Sequence, residues 1–126
     1  MNSRDISDLT PELQGLYHLF AIEMEKAGIP FMVTSTYRSQ DEQDKLYAQG
    51  RTAPGKIVTW VQHSMHQLHR AFDIAICKDG KPCWDVKVDV NEDGQADYIE
   101  AANIGRTLGL KPGAFWHTPD YPHYES

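Results

Sequence analysis

Two histidines and two aspartates, far apart in the chain, carry the first chemical signal. In Ser64-Met65-His66-Gln67-Leu68-His69-Arg70-Ala71-Phe72-Asp73, His66 and Asp73 stand just ahead of the apolar run Ile74-Ala75-Ile76-Cys77. A catalytic zinc takes three protein ligands, imidazole nitrogens or carboxylate oxygens, and leaves its fourth position open. His66 and Asp73 offer two. The tail Asp120-Tyr121-Pro122-His123 offers a third in His123. Pro122 keeps that segment extended, where side chains alternate, so Asp120 stands beside the ion as a base instead of duplicating His123. Each pair is weak by itself. A rival ligand set is His63, His66 and His69, spaced by threes, if that segment is helical. His18 reads as a surface or packing residue, and His117 as a substrate contact or plain surface.

A second constellation lies in the acidic run. Between Asp85 and Glu100 there are six acids and one base, Lys87. Asp89-x-Asn91-x-Asp93-Gly94-Gln95-x-Asp97-x-x-Glu100 matches the EF-hand calcium loop, with Gln95 giving its backbone carbonyl and Gly94 the sharp turn. Position 8 holds Ala96 where a branched aliphatic is usual, and no helix enters before Asp89. The expectation is an EF-like Ca2+ loop at 89–100 set between a hairpin and a helix, against a plain solvated acidic loop.

The elements that must position these groups follow from periodicity. Thr10-Pro11 starts a helix with Leu13, Leu16, Tyr17, Phe20, Met24 and Ala27 on one face, ended by Gly28. Phe31 to Thr36 reads as a strand. Ser39 with Glu42 forms a capping box for a helix that ends at Gly50, which leaves Arg38 on the turn between strand and helix. Ile57 to Trp60 is a short extended piece. A strand over Ala71 to Cys77 turns at Asp79-Gly80 and returns over Cys83 to Val86, with Cys77 and Cys83 facing across the hairpin as reduced packing residues. A last helix covers Tyr98 to Leu108. This order gives an α+β fold with a small antiparallel sheet flanked by helices, in a single domain over residues 1–126.

The chain has 126 residues, one domain's worth, and a net charge of −6. An acidic chain of this kind argues against a nucleic-acid partner, which needs a basic face. No apolar run approaches the roughly 20 residues of a membrane helix, and no apolar segment follows the polar N-terminus to make a signal peptide. The expectation is a monomer kept in the cytoplasm unless something else releases it. Two cysteines are too few for a disulfide framework.

Taken together, Ser64-x-His66 through Asp73 and Asp120-x-Pro122-His123 resemble the zinc peptidases that cut peptidoglycan stem peptides. That family comprises D-alanyl-D-alanine carboxypeptidases and dipeptidases and L-alanyl-D-glutamate endopeptidases, phage endolysins among them. Ser35-Thr36-Tyr37-Arg38-Ser39, Glu42-Gln43 and the loop Ala48 to Gly55 extend the resemblance. It implies a Hedgehog/DD-peptidase-like fold and Zn2+ on His66, Asp73 and His123. It also implies Asp120 as catalytic base, Arg38 holding substrate or the developing oxyanion, and Ser64 assisting. Asp at the base position resembles the endopeptidase branch, so the substrate implied is a stem peptide cut between L-alanine and D-glutamate by a bacteriolytic endolysin, with calcium regulation. The alternatives are a D-alanyl-D-alanine carboxypeptidase and a non-catalytic zinc- and calcium-binding domain. One departure is His69, where the family pattern has Gly, a residue favoured at positive φ.

Overall fold

A computed structural model describes residues 2–59 and 64–126. Its centre is strand β2 (Ala71–Lys78), which pairs antiparallel with three partners: β1 (Phe31–Ser35), β3 (Lys81–Cys83) and β5 (His123–Glu125). A two-residue strand, β4 (Lys111–Pro112), pairs with β5 and completes the path β1-β2-β5-β4. Helices α1 (Pro11–Ala27), α2 (Gln40–Ala48) and α3 (Asp97–Thr107) flank the sheet. The α+β architecture, with a small antiparallel sheet, is as expected.

Side chains alternate along a strand, so β2 has two different faces. Phe72, Ile74 and Ile76 share one face and are fully buried in a core with Leu13, Phe20 and Met24 of α1 and Tyr98 and Ala101 of α3. Tyr124 joins from β5, stacked on Phe72 with ring centroids 5.4 Å apart. Gly105 of α3 makes that packing possible, because a Cβ there would lie 2.8 Å from the Tyr124 ring. The opposite face of β2 presents Asp73.

Register fixes what surrounds it. Asp73 is paired with Ser35 of β1 on one side and with His123 of β5 on the other. Directly opposed residues in antiparallel strands project to the same face with Cβ atoms about 5 Å apart. Two residues far apart in sequence are thereby delivered to one point.

The caps at Thr10 and Gly28 behave as expected, and Ser39 makes the first bond of its expected box, on a helix that ends at Ala48, short of Gly50. Thr10 Oγ1 accepts the Leu13 N–H, Gly28 adopts φ 74°, and Ser39 Oγ accepts the Glu42 N–H. Asp79 and Gly80, at φ 54° and 77°, make the two-residue hairpin turn between Lys78 and Lys81. Two expectations need correction. The returning strand stops at Cys83, because the Tyr98 hydroxyl donates to the Cys83 carbonyl at 2.6 Å and accepts the Ile76 N–H at 3.1 Å, displacing the ladder. Cys77 and Cys83 do not face each other: Cys77 opposes Pro82 and Cys83 opposes Ile76, so the thiols leave opposite faces. Residues 57–59, expected as part of a short extended piece, belong to no strand pair, and Trp60 lies outside the described residues.

Candidate metal centre and active site

His66 sits in a short 3-10 turn, Met65–Leu68, just before β2. Ser64 caps this turn. Its Oγ accepts the His66 N–H at 3.2 Å, and the Gln67 side chain accepts the Ser64 N–H in return. The turn closes at His69, whose φ of 59° is left-handed. This is the conformation that explains glycine at that position in the related pattern. His69 does not join the site: its Nδ1 meets the Asp8 carbonyl at 2.6 Å and its ring stacks on Tyr37 at 4.3 Å. The rival set of three histidines therefore loses His69, while His63 lies outside the described residues.

His66, Asp73 and His123 converge. His66 Nε2 and His123 Nδ1 each lie 3.1 Å from Asp73 Oδ1. Among the described residues, this is the one group whose three ligand atoms fall within 4.8 Å of one another. Each imidazole has its outer nitrogen held. His66 Nδ1 is 2.6 Å from the Thr36 carbonyl, which can only accept, so Nδ1 carries a proton and Nε2 is the nitrogen that faces inward. His123 Nε2 is 2.8 Å from Glu125 Oε1, which leaves Nδ1 facing inward. Outer partners of this kind fix ring orientation and tautomer in metal sites. Two buried imidazoles and a carboxylate with such support fit a first-row divalent cation, and two nitrogens with one oxygen suit zinc.

The electrostatics agree with a cation site. Burial pushes the Asp73 carboxyl up, but hydrogen bonds from His123 and His66 outweigh it and hold the group well below the usual carboxylate range. Burial pulls His123 down, yet its bonds to Asp73 and Glu125 prevail and raise it to about 9. Without a metal, a proton holds these groups together.

A cavity of about 350 Å³ opens over this centre, lined among others by Arg38, Ser64, Asp120 and Trp116. Asp120 opens a turn through Tyr121 and Pro122, a correction to the extended segment expected here, because the His123 N–H folds back onto the Asp120 carbonyl. Its N–H donates to the Gly113 carbonyl at 2.9 Å, and its own carbonyl accepts the His123 N–H at 3.2 Å. Desolvation by the cavity wall lifts the Asp120 carboxyl, and the negative Asp73 lifts it further, against the pull of His123, His66 and Arg38. A carboxylate moved towards the working pH suits a general base. Arg38, just after β1, has Nη1 on Gln43 Oε1 at 2.9 Å and Nη2 on Ser35 Oγ at 3.3 Å, with Asp73 Oδ2 at 3.9 Å. Gln43 is fully buried on α2, and its Nε2 donates to Thr59 Oγ1. The guanidinium is thus aimed at the ligand set from a fixed seat. Ser64 lines the same cavity, with its hydroxyl engaged in positioning His66.

Glu125 was not singled out from sequence. The signal was the i, i+2 spacing of His123 and Glu125, which puts both on one face of an extended segment. Trp116, 5.0 Å from the His123 ring between centroids, carries no comparable signature. His117 is exposed and lies in the wall of an adjoining cavity, away from the ligand set.

The acidic loop folds around Asp89, whose Oδ1 and Oδ2 accept the N–H groups of Asp93 at 3.3 Å and Gly94 at 2.9 Å. Gly94 takes φ 85°. Asp93 Oδ1 accepts the Gln95 N–H. Asp97, the first residue of α3, accepts the Val90 N–H at 2.6 Å through Oδ2. Asn91 Nδ2 donates to the Ala27 carbonyl and to Glu100 Oε1. Asp97 Oδ1 and Asn91 Oδ1 are buried without a partner among the described residues. Burial lifts Asp97 and Glu100, and neighbouring carboxylates lift them further. The loop's carboxylates are nevertheless spread more widely than the His-Asp-His set.

A His-Asp-His centre in a cavity shared with a carboxylate and an arginine suits metal-assisted hydrolysis. Comparison with known proteins narrows the class. A profile of the family described as D-alanyl-D-alanine carboxypeptidase matches residues 59–126. The peptidoglycan L-alanyl-D-glutamate endopeptidase CwlK of Bacillus subtilis (strain 168) is 39% identical over 123 residues, spanning 94% of this chain and 74% of that protein. The Serratia marcescens L-Ala D-Glu endopeptidase ChiX shares the fold with a TM-score of 0.72 at 19% identity, covering 99% of this chain and 87% of that one. The LdcB LD-carboxypeptidase does so with a TM-score of 0.66 at 17% identity, covering 93% of this chain and 58% of that one. The chain belongs to this family of peptidoglycan peptidases, which holds both D-alanyl-D-alanine carboxypeptidases and L-alanyl-D-glutamate endopeptidases.

Proposed function

We propose that the protein is a zinc-dependent peptidoglycan hydrolase that cleaves the bond between L-alanine and D-glutamate in stem peptides. The observation that carries the reading is the convergence of His66, Asp73 and His123 under a cavity that also holds Asp120 and Arg38. The 39% identity to an L-alanyl-D-glutamate endopeptidase favours this bond. When bound, zinc supplies Lewis acidity for the scissile carbonyl and makes a nearby water easier to deprotonate. Asp120 takes the proton of the attacking water and returns it to the leaving amine. Arg38, kept in place by Gln43 and Ser35, faces the negative charge that develops on the carbonyl oxygen. Thr36 and Glu125 hold the two imidazoles so that neither rotates during turnover.

Digestion of purified peptidoglycan, with zinc removed by chelation and then restored, tests this reading through product masses. Zinc-dependent fragments starting at D-glutamate are expected. Release of terminal D-alanine instead would assign the carboxypeptidase activity that the family description names. A non-catalytic domain is tested by Asp120→Ala: retained zinc with lost wall cleavage excludes it.

We further propose that residues 89–100 bind calcium through Asp89, Asn91, Asp93, the Gln95 carbonyl, Asp97 and Glu100. The two buried, unpartnered oxygens of Asn91 and Asp97 support this, as does the glycine turn at Gly94. A cation would draw together carboxylates that now repel. A rise in melting temperature with calcium, absent in Asp93→Ala, is the expected result, and an equal response of both proteins would refute it.

A further inference from the structure

The catalytic cavity has a neighbour. A second cavity of about 420 Å³ is lined by Trp116, His117, Thr118 and Pro119 and shares Val58, Thr59, Trp116 and Asp120 with the first. The two therefore adjoin, with Trp116 and Asp120 at the boundary. Their chemistry differs. The first contains Arg38, the one arginine or lysine among the described residues that line either cavity. Among the described residues, the second has no lysine, arginine or carboxylate beyond Asp120 at the junction, and the surface that Val58, Trp116 and Pro119 give it is apolar. Trp116 is 40% exposed and Val58 55% exposed, so both present apolar surface to whatever enters. Exposed aromatic and aliphatic groups beside a polar cleft mark a ligand groove.

The proposed substrate has matching halves. On the acyl side, L-alanine is joined through a lactyl group to N-acetylmuramic acid, an uncharged sugar in that linkage. On the amine side, D-glutamate carries a free carboxylate and leads into further charged residues. We propose that the second cavity is a saccharide subsite, with Trp116 as the platform against which the muramoyl ring packs, and that the carboxylate-bearing half lies towards Arg38. An indole offers a broad apolar face to sugar C–H groups and keeps a polar edge for water. This orientation rests on the L-alanyl-D-glutamate reading. It makes the enzyme selective for stems still attached to glycan, because binding energy from the remote sugar is spent on the reacting bond.

The test compares kcat/KM, in zinc-loaded protein, for N-acetylmuramoyl-L-alanyl-D-glutamyl-diaminopimelate, for the same peptide without the sugar, and for a sugar-free peptide lengthened at its C-terminus. The wild type is expected to favour the muramoyl substrate by on the order of tenfold, the effect of one modest contact. Trp116→Ala and, separately, Val58→Ser are expected to erase most of that ratio. Reading a ratio cancels any effect of Trp116 on His123 beneath it. Equal rates with and without the sugar overturn the subsite, and so does a ratio unchanged in both variants. A gain from C-terminal lengthening that disappears in Trp116→Ala would assign the cavity to peptide and also overturn it. Failure to cleave any of the three would refute the underlying endopeptidase reading instead.

Discussion

Gly113 bears on the geometry of the site more directly than any residue outside it. A Cβ at this position would stand 2.5 Å from the Asp120 carbonyl oxygen, 3.1 Å from the His123 Cβ and 3.2 Å from the Asp120 Cβ. Its φ is not in the left-handed range, so alanine suits the local backbone and only the clash matters. Real Cβ contacts stay beyond 3.0 Å, so the Asp120 backbone must retreat by at least about 0.5 Å, the margin within which catalytic groups have to be held. That movement strains the Asp120–Gly113 hydrogen bond and pulls on the His123 N–H. A misplacement of about 1 Å can cost about 100-fold in rate, so Gly113→Ala is expected to lower kcat on peptidoglycan by about 10- to 100-fold. Overpacking of this kind costs about 1–3 kcal/mol of stability, within reach of a marginal domain, so folding should survive. The assay is turnover in parallel with zinc content and thermal unfolding. Activity within twofold of wild type, in a folded and zinc-loaded protein, would refute the reasoning.

Other expectations concern the ligands and their supports. Glu125→Gln removes the charge behind His123 and should weaken zinc binding by about 10- to 100-fold, measured by competition with a chelator; unchanged affinity would deny Glu125 that role. In metal-free protein, His123 is raised to about 9 from an ordinary 6.5. Its contribution to stability is therefore fully present below pH 6.5 and lost as the pH climbs through 9, by at most about 3 kcal/mol. Unfolding temperatures of the metal-free protein should accordingly fall between pH 6 and pH 9.5, with His123→Asn showing a smaller fall. His69→Gly relieves a left-handed residue while losing the Tyr37 stack and the Asp8 contact, and is expected to leave zinc stoichiometry unchanged. Loss of bound zinc would restore His69 as a ligand candidate.

The legible parts of the fold were those set by local chemistry. The α1 caps, the Asp79-Gly80 turn and the apolar run after Asp73 each have a short-range cause, and each element lies where periodicity puts it. What was not legible depends on tertiary partners. Nothing near Cys83 announces that Tyr98 will take its carbonyl and end the strand, and Lys111–Pro112 is too short to show a period. The candidate metal ligands stood out because their residue types are chemically distinctive and spaced in a familiar way. Glu125 and the Thr36 carbonyl did not, since a carboxylate in a strand is commonplace and a backbone oxygen has no side-chain signature. His69 was legible as an anomaly. Its physical meaning, a histidine in a left-handed turn closure, needed the backbone angle.

Tyr124 lies between His123 and Glu125 and points the other way, fully buried against Phe20 and Phe72. The strand that brings His123 to Asp73 is therefore anchored by hydrophobic packing that owes nothing to an ion. Zinc fingers, by contrast, collapse when their metal leaves. The proposed zinc ion would therefore enter a socket held by packing alone, so its removal and return should be quick, reversible and silent in the far-UV spectrum. Substitution by cobalt would then place a coloured reporter in an otherwise undisturbed centre, and the coordination of His66, Asp73 and His123 could be read by visible absorption.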